Sequence, residues 1–456
     1  MKQASNGAMI GRWWIDDDPE RTLAGTLVMD GDYELQVLGS FKALTPDGFA
    51  PSVIRGVCAG QFITLVEVSA RHDVPKLAAS GTSTYYCPVV LIGHRDLTGT
   101  STAFDQVDVT HSRMTTFAGR TGIAEHDTDT SSVLRFTPLE SLHAVDGQGR
   151  TYQLDGDFTA AYPEPGRRVS WTERENLLVH LPAALTVTQI LQTVERPVRH
   201  LLHLACGHPS GIEMLRLAHS PATPDDLMEW HTVHIFQKYP NRGEDEQTPA
   251  DRCLLTLADI DFATVVPKWM GLAAKLDISL DLLLSLDGPH AGFVSNRFFS
   301  AAAAAEGIHR RLNPEREQPS PRHTNRMTAI LAAVQEPKHN KWLDRQLRGS
   351  HRLDFSSRLR LLHREACPAI KPYIPDADKW STAVVHMRDM VAHSLPDENR
   401  DARAFHYLAT SIDLVVRIGL LRRIGLDPDV IARRVENNNQ WAHLKGGLRA
   451  AVPEIF

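Results

Sequence analysis

The sequence has few cysteines, and they do not follow the spacing of a disulfide framework. Its 456 residues include 5 cysteines, an odd number, without a CxxC pair. They are scattered as Cys58, Cys87, Cys206, Cys253 and Cys367. Reduced thiols are the simplest interpretation. The amino terminus also lacks the apolar segment of a signal peptide, so we expect a cytoplasmic protein.

Long apolar runs are missing as well. The best candidate, Trp269 to Leu286, is interrupted by Lys275, Asp277 and Asp281. A membrane-spanning helix needs about 18 or more predominantly apolar residues without such charges. The sequence therefore predicts neither a transmembrane segment nor a membrane partner.

The common nucleotide-binding and hydrolase motifs do not occur. We find no GxxxxGK[ST] phosphate loop, no GxGxxG after a strand, no HExxH and no GxSxG. Each of these motifs places particular groups at a phosphate, a metal or an acyl carbon. Their absence argues against an ATPase, a dehydrogenase, a zinc protease of that type and an ordinary serine hydrolase.

The charge is unevenly divided along the chain. The whole sequence carries 49 Lys and Arg against 55 Asp and Glu, a net charge of −6. Residues 291–456 hold 26 basic and 18 acidic residues, or +8, which leaves 23 and 37, or −14, for residues 1–290. This split indicates that the carboxy-terminal part meets a polyanion.

Hydrophobic patterning predicts an α+β protein with more than one domain. The first 250 residues favour closely spaced antiparallel strands, including a hairpin around Asp30-Gly31-Asp32, with one helix at 186–205. From about residue 255 the pattern becomes helical. Helices are predicted near 262–288, 293–312, 324–335, 354–366, 378–395, 401–424 and 428–449. Asp287-Gly288-Pro289 is a stop signal, so we expect a β-rich region over 1–288 and an all-α domain over 289–456.

Three clusters give weak functional signals. His203, Cys206 and His208 resemble metal ligands, but a fourth ligand is missing, and a buried cysteine beside two ordinary histidines is the favoured interpretation. The run Asp16-Asp17-Asp18 is interpreted as a solvated acidic turn rather than a cation site. Trp13-Trp14 is interpreted as core or interface packing, with base stacking as the alternative.

The strongest signal pairs Arg388 with His393, five residues later on a predicted helix that Pro396 ends. Metal-free RNA cleavage needs these two groups. A histidine moves protons at the ribose 2′-OH or the leaving 5′-oxygen, and an arginine neutralises the additional charge on phosphorus. On spacing alone, a surface arginine and a helix-capping histidine would explain the pattern equally well.

The surrounding sequence resembles the HEPN superfamily. Its signature is an arginine, often a polar residue next, and a histidine a few positions later, which Arg388, Asp389 and His393 match. The segment that contains Trp380 and Val384-Val385 resembles the helix that leads into this signature. The segments that look like the flanking core helices are Arg297 to Glu306 and Phe405 to Leu426.

More narrowly, the whole chain resembles ApeA-like proteins. Trp13-Trp14, Gly25-Thr26-Leu27 and Leu35 to Gly39 match the start of their amino-terminal domain, and Pro267-Lys268-Trp269 fits the segment before the HEPN domain. The resemblance implies an ApeA-like sensing or regulatory region over 1–288 and a HEPN helical bundle over 289–456.

The resemblance also implies an activity. HEPN nucleases dimerise, so Arg388 and His393 of two chains would form a composite, metal-independent endoribonuclease site, with Asp389 in a supporting role. No cofactor is implied. ApeA-like proteins are bacterial abortive-infection factors, which makes host RNA, tRNA above all, the expected substrate and a phage-derived protein the expected trigger. Two alternatives remain: a catalytically inert module that binds RNA or nucleotides, and a non-enzymatic adaptor that senses phage.

Overall fold

The computed structural model describes residues 8–41, 51–73, 81–93, 103–128, 131–164, 168–221, 223, 227–235, 249–287, 293–392 and 401–456. The chain divides into two compact units. We call residues 1–115, 121–196 and 210–246 the β unit. Residues 116–120, 197–209 and 247–456 are the helical unit.

Antiparallel strands dominate the β unit. They are β1 Met9–Ile15, β2 Asp18–Val28, β3 Glu34–Leu38, β4 Val53–Cys58, β5 Gln61–Val66, β6 Ser69–Asp73, β7 Thr82–Tyr86, β8 Val89–Gly93, β9 Ala103–His111, β10 Ile123–Thr128, β11 Ser131–Phe136, β12 Leu142–Val145, β13 Thr151–Glu164, β14 Arg168–Thr186, β15 Ile212–Ala218 and β16 His231–Ile235. Over the described residues, 14 of them form one sheet in the order β12-β13-β14-β9-β15-β16-β8-β5-β4-β1-β2-β3-β7-β6, while β10 and β11 pair separately.

The two turns that the sequence suggested near the start of the β unit are present. Strands β2 and β3 pair antiparallel, and Gly31 between them has φ +72°, a conformation that glycine adopts without a steric penalty. Strands β1 and β2 are joined by a turn containing the exposed Asp16 and Asp17. Asp16 accepts a hydrogen bond from Arg55 Nη2 at 3.1 Å, so the acidic run is a turn with an ion pair.

Trp13 belongs to the hydrophobic cluster built from β1 to β8, which agrees with the predicted core packing, while Trp14 is half-buried. The Trp13 side chain has 0% exposure, and Leu27 and Leu35 belong to the same cluster. A Cβ at Gly56 would lie 2.3 Å from the Trp13 ring, so only glycine fits opposite this indole. The alternation of buried and exposed residues along β3 follows the period of two expected for a sheet with one packed face.

The predicted helix at 186–205 is confirmed. It runs as α2 Val187–Ile190, a π-helical turn Leu191–Glu195 and α3 Arg196–Cys206. Thr186 and Gln189 form a capping box that satisfies the first amide groups. Pro197 lies directly after the π-helical turn, and the helix continues through it to Cys206.

Helices build the helical unit. Besides the short α1 Met114–Ala118, they are α4 Phe262–Leu276, α5 Ile278–Leu284, α6 Val294–Leu312, α7 Pro321–Ala333, α8 Pro337–Leu347, α9 Phe355–Ala366, α10 Ala377–Ala392, α11 Ala402–Ile424, α12 Pro428–Asn437 and α13 Leu444–Ala451. Helix α11 is the central one and packs against α4, α6, α9 and α13. The β-rich first part and the all-helical second part confirm the predicted fold class.

Two details of the helical prediction were wrong. The segment 428–449 is not one helix, because Asn438 interrupts it between α12 and α13. The Asn438 side chain donates to the carbonyl of Arg252 at 2.6 Å and accepts from the amide of Gln440 at 2.8 Å, which favours a turn over helix continuation. Helix α8 was missed altogether.

Helix α11 is, over the described residues, the one helix long and apolar enough to cross a membrane. Of its most apolar window, 89% is buried inside the protein. Packing in the core of the helical unit accounts for its apolar composition.

Arg417 and Asp413 of α11 form a buried ion-pair cluster with Asp287. Arg417, with 0% exposure, donates to Asp413 at 2.7 Å and to Asp287 at 2.6 Å. Burial would raise the pKa of Asp287, but the charge of Arg417 and a hydrogen bond from His203 lower it to about 2. Burial raises the pKa of Asp413 to about 6. The guanidinium is therefore the counter-charge on which two buried carboxyls depend.

The boundary expected at residue 288 falls within the longest segment of the helical unit, residues 247–456. Asp287, immediately before that position, belongs to the buried cluster around Arg417. The predicted division into an ApeA-like region over 1–288 and a HEPN domain over 289–456 stays a prediction.

Replacing Arg417 by methionine is expected to lower the free energy of unfolding by about 3–5 kcal/mol, because two buried carboxyls lose their cation. Urea unfolding of the full chain, followed by circular dichroism, measures this change. The matched control is Arg433→Met, an exposed arginine of the same unit, expected to change stability by less than about 0.5 kcal/mol. Equal stability of both variants would contradict the assigned role of Arg417.

Candidate functional site

The rotation of α10 about its axis is fixed by Trp380. This indole is fully buried, and its Nε1 donates a hydrogen bond to Ser411 Oγ of α11 at 2.9 Å. Val384, four residues later, is also buried. Because residues four apart lie on one side of a helix, Arg388 follows Trp380 and Val384 along the same side of α10.

The Arg388 side chain is half-exposed and extends from α10 toward α6 and α9. Its Nη2 is 3.4 Å from Glu306 Oε2 on α6, and its guanidinium carbon is 4.9 Å from the ring centre of Phe355, the first residue of α9. The side chain retains 35% of its exposure. One face of the guanidinium thus packs on an aromatic ring while the group remains open to solvent.

Of the three residues predicted for the site, the structure describes Arg388 and Asp389 but not His393. Arg388 and Asp389 are adjacent on α10, and Asp389 is exposed. His393 lies outside the residues that the structure describes, one position after α10. Its distance from Arg388 and its role therefore stay predictions, and so does the supporting role of Asp389.

Glu306 is a partner of Arg388 that the sequence interpretation had placed only in a core helix. It follows the five alanines of α6 and is the one acidic residue in that helix. A lone carboxylate beside a run of small apolar residues was a usable signal, because it lies next to a buried face without being part of it. The sequence did not show that α10 would place an arginine opposite it.

Arg388 is the end of a chain of ion pairs. Glu306 also lies 4.0 Å from Arg310, Arg310 lies 3.3 Å from Glu317, and Arg358 lies 2.6 Å from Glu317. The hydrogen bond from Arg358 holds the pKa of Glu317 below its ordinary value. Side chains of alternating charge thus connect the half-exposed Arg388 to the buried Arg358.

An open groove of about 520 Å³ lies where the carboxyl ends of α6, α9 and α11 meet. Four arginines line it, Arg316, Arg364, Arg422 and Arg423. Arg422 donates to the carbonyls of Glu365 and Cys367 at 2.5 and 2.6 Å. The groove is positively charged, although part of that charge compensates the helix ends.

His309 lines the same groove and stays neutral. Burial, together with the charges of Arg358 and Arg316, lowers its pKa to about 4. Arg358 Nη1 donates to His309 Nδ1 at 3.3 Å, so the proton of the neutral ring is on Nε2. At neutral pH this histidine is a hydrogen-bond donor rather than a cation.

Of the three residues considered as metal ligands, Cys206 is a buried thiol and His203 belongs to an ion pair. His203 Nε2 is 2.8 Å from Asp287 Oδ2, in the buried cluster around Arg417. Burial lowers the pKa of His203 although Asp287 opposes this. Within the part of the chain that the structure describes, no three His, Cys, Asp or Glu side chains converge in a way that would hold a metal ion.

The ion pair between Arg388 and Glu306 is expected to be weak, because both side chains are partly exposed. A double-mutant cycle with Arg388→Ala, Glu306→Ala and the double variant should give a coupling of about 1 kcal/mol or less in the free energy of unfolding. The guanidinium is then available to another anion. A coupling well above that value would mean that Glu306 holds Arg388 as a structural group.

Two family models match this chain. The model for ApeA N-terminal domain 1 matches residues 8–269, and the model for Apea-like HEPN matches residues 299–430, a segment that contains Glu306, Arg388 and His393. No curated protein and no solved structure matches the chain. The chain therefore belongs to the ApeA-like family, in which an ApeA N-terminal domain precedes an Apea-like HEPN domain.

Proposed function

We propose that the chain is a metal-independent HEPN endoribonuclease of an anti-phage abortive-infection system. One observation carries the proposal: an Apea-like HEPN match includes a half-exposed Arg388, five residues before His393, on α10. HEPN domains are associated with endoribonuclease activity, and these two residue types are those that cleavage by the ribose 2′-OH requires.

Arg388 is suited to bind a phosphate during the reaction. Its weak ion pair with Glu306 positions the guanidinium, and because both side chains are partly exposed to solvent the guanidinium can still bind another anion. A substrate phosphate would compete with Glu306 through bidentate hydrogen bonds, which are stronger for a guanidinium than a single exposed ion pair. Arg388 then neutralises the charge that develops on the pentacoordinate phosphorus.

His393 supplies the proton transfers in this mechanism. It takes the proton of the 2′-OH, or gives a proton to the leaving 5′-oxygen, and the second site histidine of a dimer performs the opposite step. The bond to the 5′-oxygen breaks as the 2′-oxygen bonds to phosphorus. The products carry a 2′,3′-cyclic phosphate and a 5′-hydroxyl.

The amino-terminal region is assigned the sensing role. It matches the ApeA N-terminal domain 1, and residues 1–290 carry a net charge of −14. A region of that sign repels RNA, whereas residues 291–456, at +8, attract it. We infer that a phage-derived protein binds this region, that the carboxy-terminal domains pair as a homodimer or larger assembly, and that the target is host tRNA.

His393→Ala should lower the rate of RNA cleavage on the order of 100-fold or more, because the proton-transfer group is removed. The measurement is cleavage of total RNA by the full chain, resolved on a gel. His386→Ala is the matched control, since His386 is an exposed histidine of α10, seven positions before His393 in the sequence. Equal cleavage by both variants would contradict the role of His393, and RNA binding without cleavage by the wild type would indicate an inert module.

Arg388→Lys should be nearly as damaging as Arg388→Ala, with losses of about 100-fold, because an ammonium cannot replace two parallel guanidinium hydrogen bonds. Arg310→Lys is the control, since Arg310 also pairs with Glu306 but lies outside the motif. Single-turnover cleavage rates decide the comparison. If Arg388→Lys cut RNA like the wild type, the bidentate role would be refuted.

A further inference from the structure

Helices α7 and α8 form a two-helix arm that the catalytic proposal does not use. We define the arm as residues 321–352, between α6 and α9. Every residue of the arm is described, and neither helix has a buried residue. The helices contact each other, and Asn340 Nδ2 joins them through a 2.6 Å hydrogen bond to the carbonyl of Leu331. The two helices therefore leave most of their surface open to solvent.

The surface of the arm is strongly basic. It has 7 Lys and Arg against 2 Asp and Glu, or +5 of the +8 in residues 291–456. All of its basic side chains are exposed: Arg322, Arg326, Lys338, Lys341, Arg345, Arg348 and Arg352. Among the described residues, Arg348 alone of these has a carboxylate within ion-pair distance, Asp344 at 3.0 Å.

The cations of α8 follow one side of the helix. Lys338, Lys341, Arg345 and Arg348 are spaced by 3, 4 and 3 residues, so at about 100° per residue they span an arc of about 80°. Trp342 is about 40° from Lys338 at the edge of this stripe. Its indole is 58% exposed, unusual for a side chain of this size.

We propose that this arm binds RNA, with the basic stripe of α8 along the phosphates and Trp342 stacked on an unpaired base. The inference rests on the proposed function for its choice of polyanion. A row of cations beside an exposed aromatic ring is the combination with which proteins bind single-stranded segments and loops. Apart from Trp342, the larger apolar side chains of the arm are half-buried, which leaves little apolar surface for a membrane, and dense exposed charge disfavours a protein interface core.

The base of the arm is connected to the candidate site. His351 Nε2 lies 2.9 Å from the carbonyl of Glu317, the same residue that pairs with Arg310 and Arg358. Arg310 also pairs with Glu306, the partner of Arg388. These contacts connect the base of the arm to Arg388, so RNA bound by the arm would be held by the same part of the helical unit as the candidate site.

The experiment measures affinity without cleavage. The full-length protein is titrated into a labelled anticodon stem-loop RNA that is 2′-O-methylated throughout, since attack by the 2′-oxygen is then blocked. The test variant carries Lys338→Gln, Lys341→Gln and Arg345→Gln. The matched control carries Lys371→Gln, Arg433→Gln and Lys445→Gln, three exposed cations of the same unit.

The arm variant should bind at least about 10-fold more weakly than the control, and the slope of log affinity against log salt should fall by about 2. Trp342→Ala should weaken binding about 10-fold, and Trp342→Phe should retain most of the affinity. Loss of affinity confined to the arm variants supports the proposal even if no RNA is cut.

Equal affinity of the arm and control variants overturns the inference, and so does an absence of binding by the wild type. A change in sedimentation without a change in RNA affinity also overturns it, because the arm would then contact a second copy of the chain. Cleavage of unmodified RNA is measured separately, so failure of the nuclease proposal is distinguishable from failure of the arm.

Discussion

The burial of Trp380 against α11 is the constraint on which the candidate site depends. Its hydrogen bond to Ser411 fixes the rotation of α10, because a buried indole N–H left without a partner is costly. Two turns later, that rotation brings Arg388 to Glu306 and to the ring of Phe355. The position of the half-exposed Arg388 is therefore determined by a buried residue, and such support from packed side chains is what a precise functional site requires.

Two arginines of the helical unit illustrate opposite uses of the same side chain. Arg417 has 0% exposure and neutralises buried carboxyls, so its value is structural. Arg388 retains 35% exposure, and its ion-pair partner among the described residues, Glu306, is partly exposed too, so we expect their interaction to be weak and exchangeable. Only the second kind can transfer its hydrogen bonds to a substrate phosphate, which is why exposure matters more here than the number of contacts.

The sequence predicted elements well where burial imposed a period, and poorly where it did not. The hairpin around Gly31 and the helix capped by Thr186 are confirmed, because turn and cap residues act locally. Helix α8 was missed because it has no buried residue and only three large apolar ones, Trp342, Leu343 and Leu347, which is a weak signal for a helix. Arg388 was found through its motif, but Glu306 is distant in sequence, and only the packing of α6 against α10 brings the two together.

In the proposed reaction, RNA is cut by its own 2′-OH with help from protein side chains. End-group analysis of RNA cut by the full chain in the presence of EDTA tests it most directly. We expect undiminished cleavage with 2′,3′-cyclic phosphate and 5′-hydroxyl ends, because neither proton transfer requires a metal. Cleavage that stops in EDTA, or fragments with 3′-hydroxyl and 5′-phosphate ends, would contradict it.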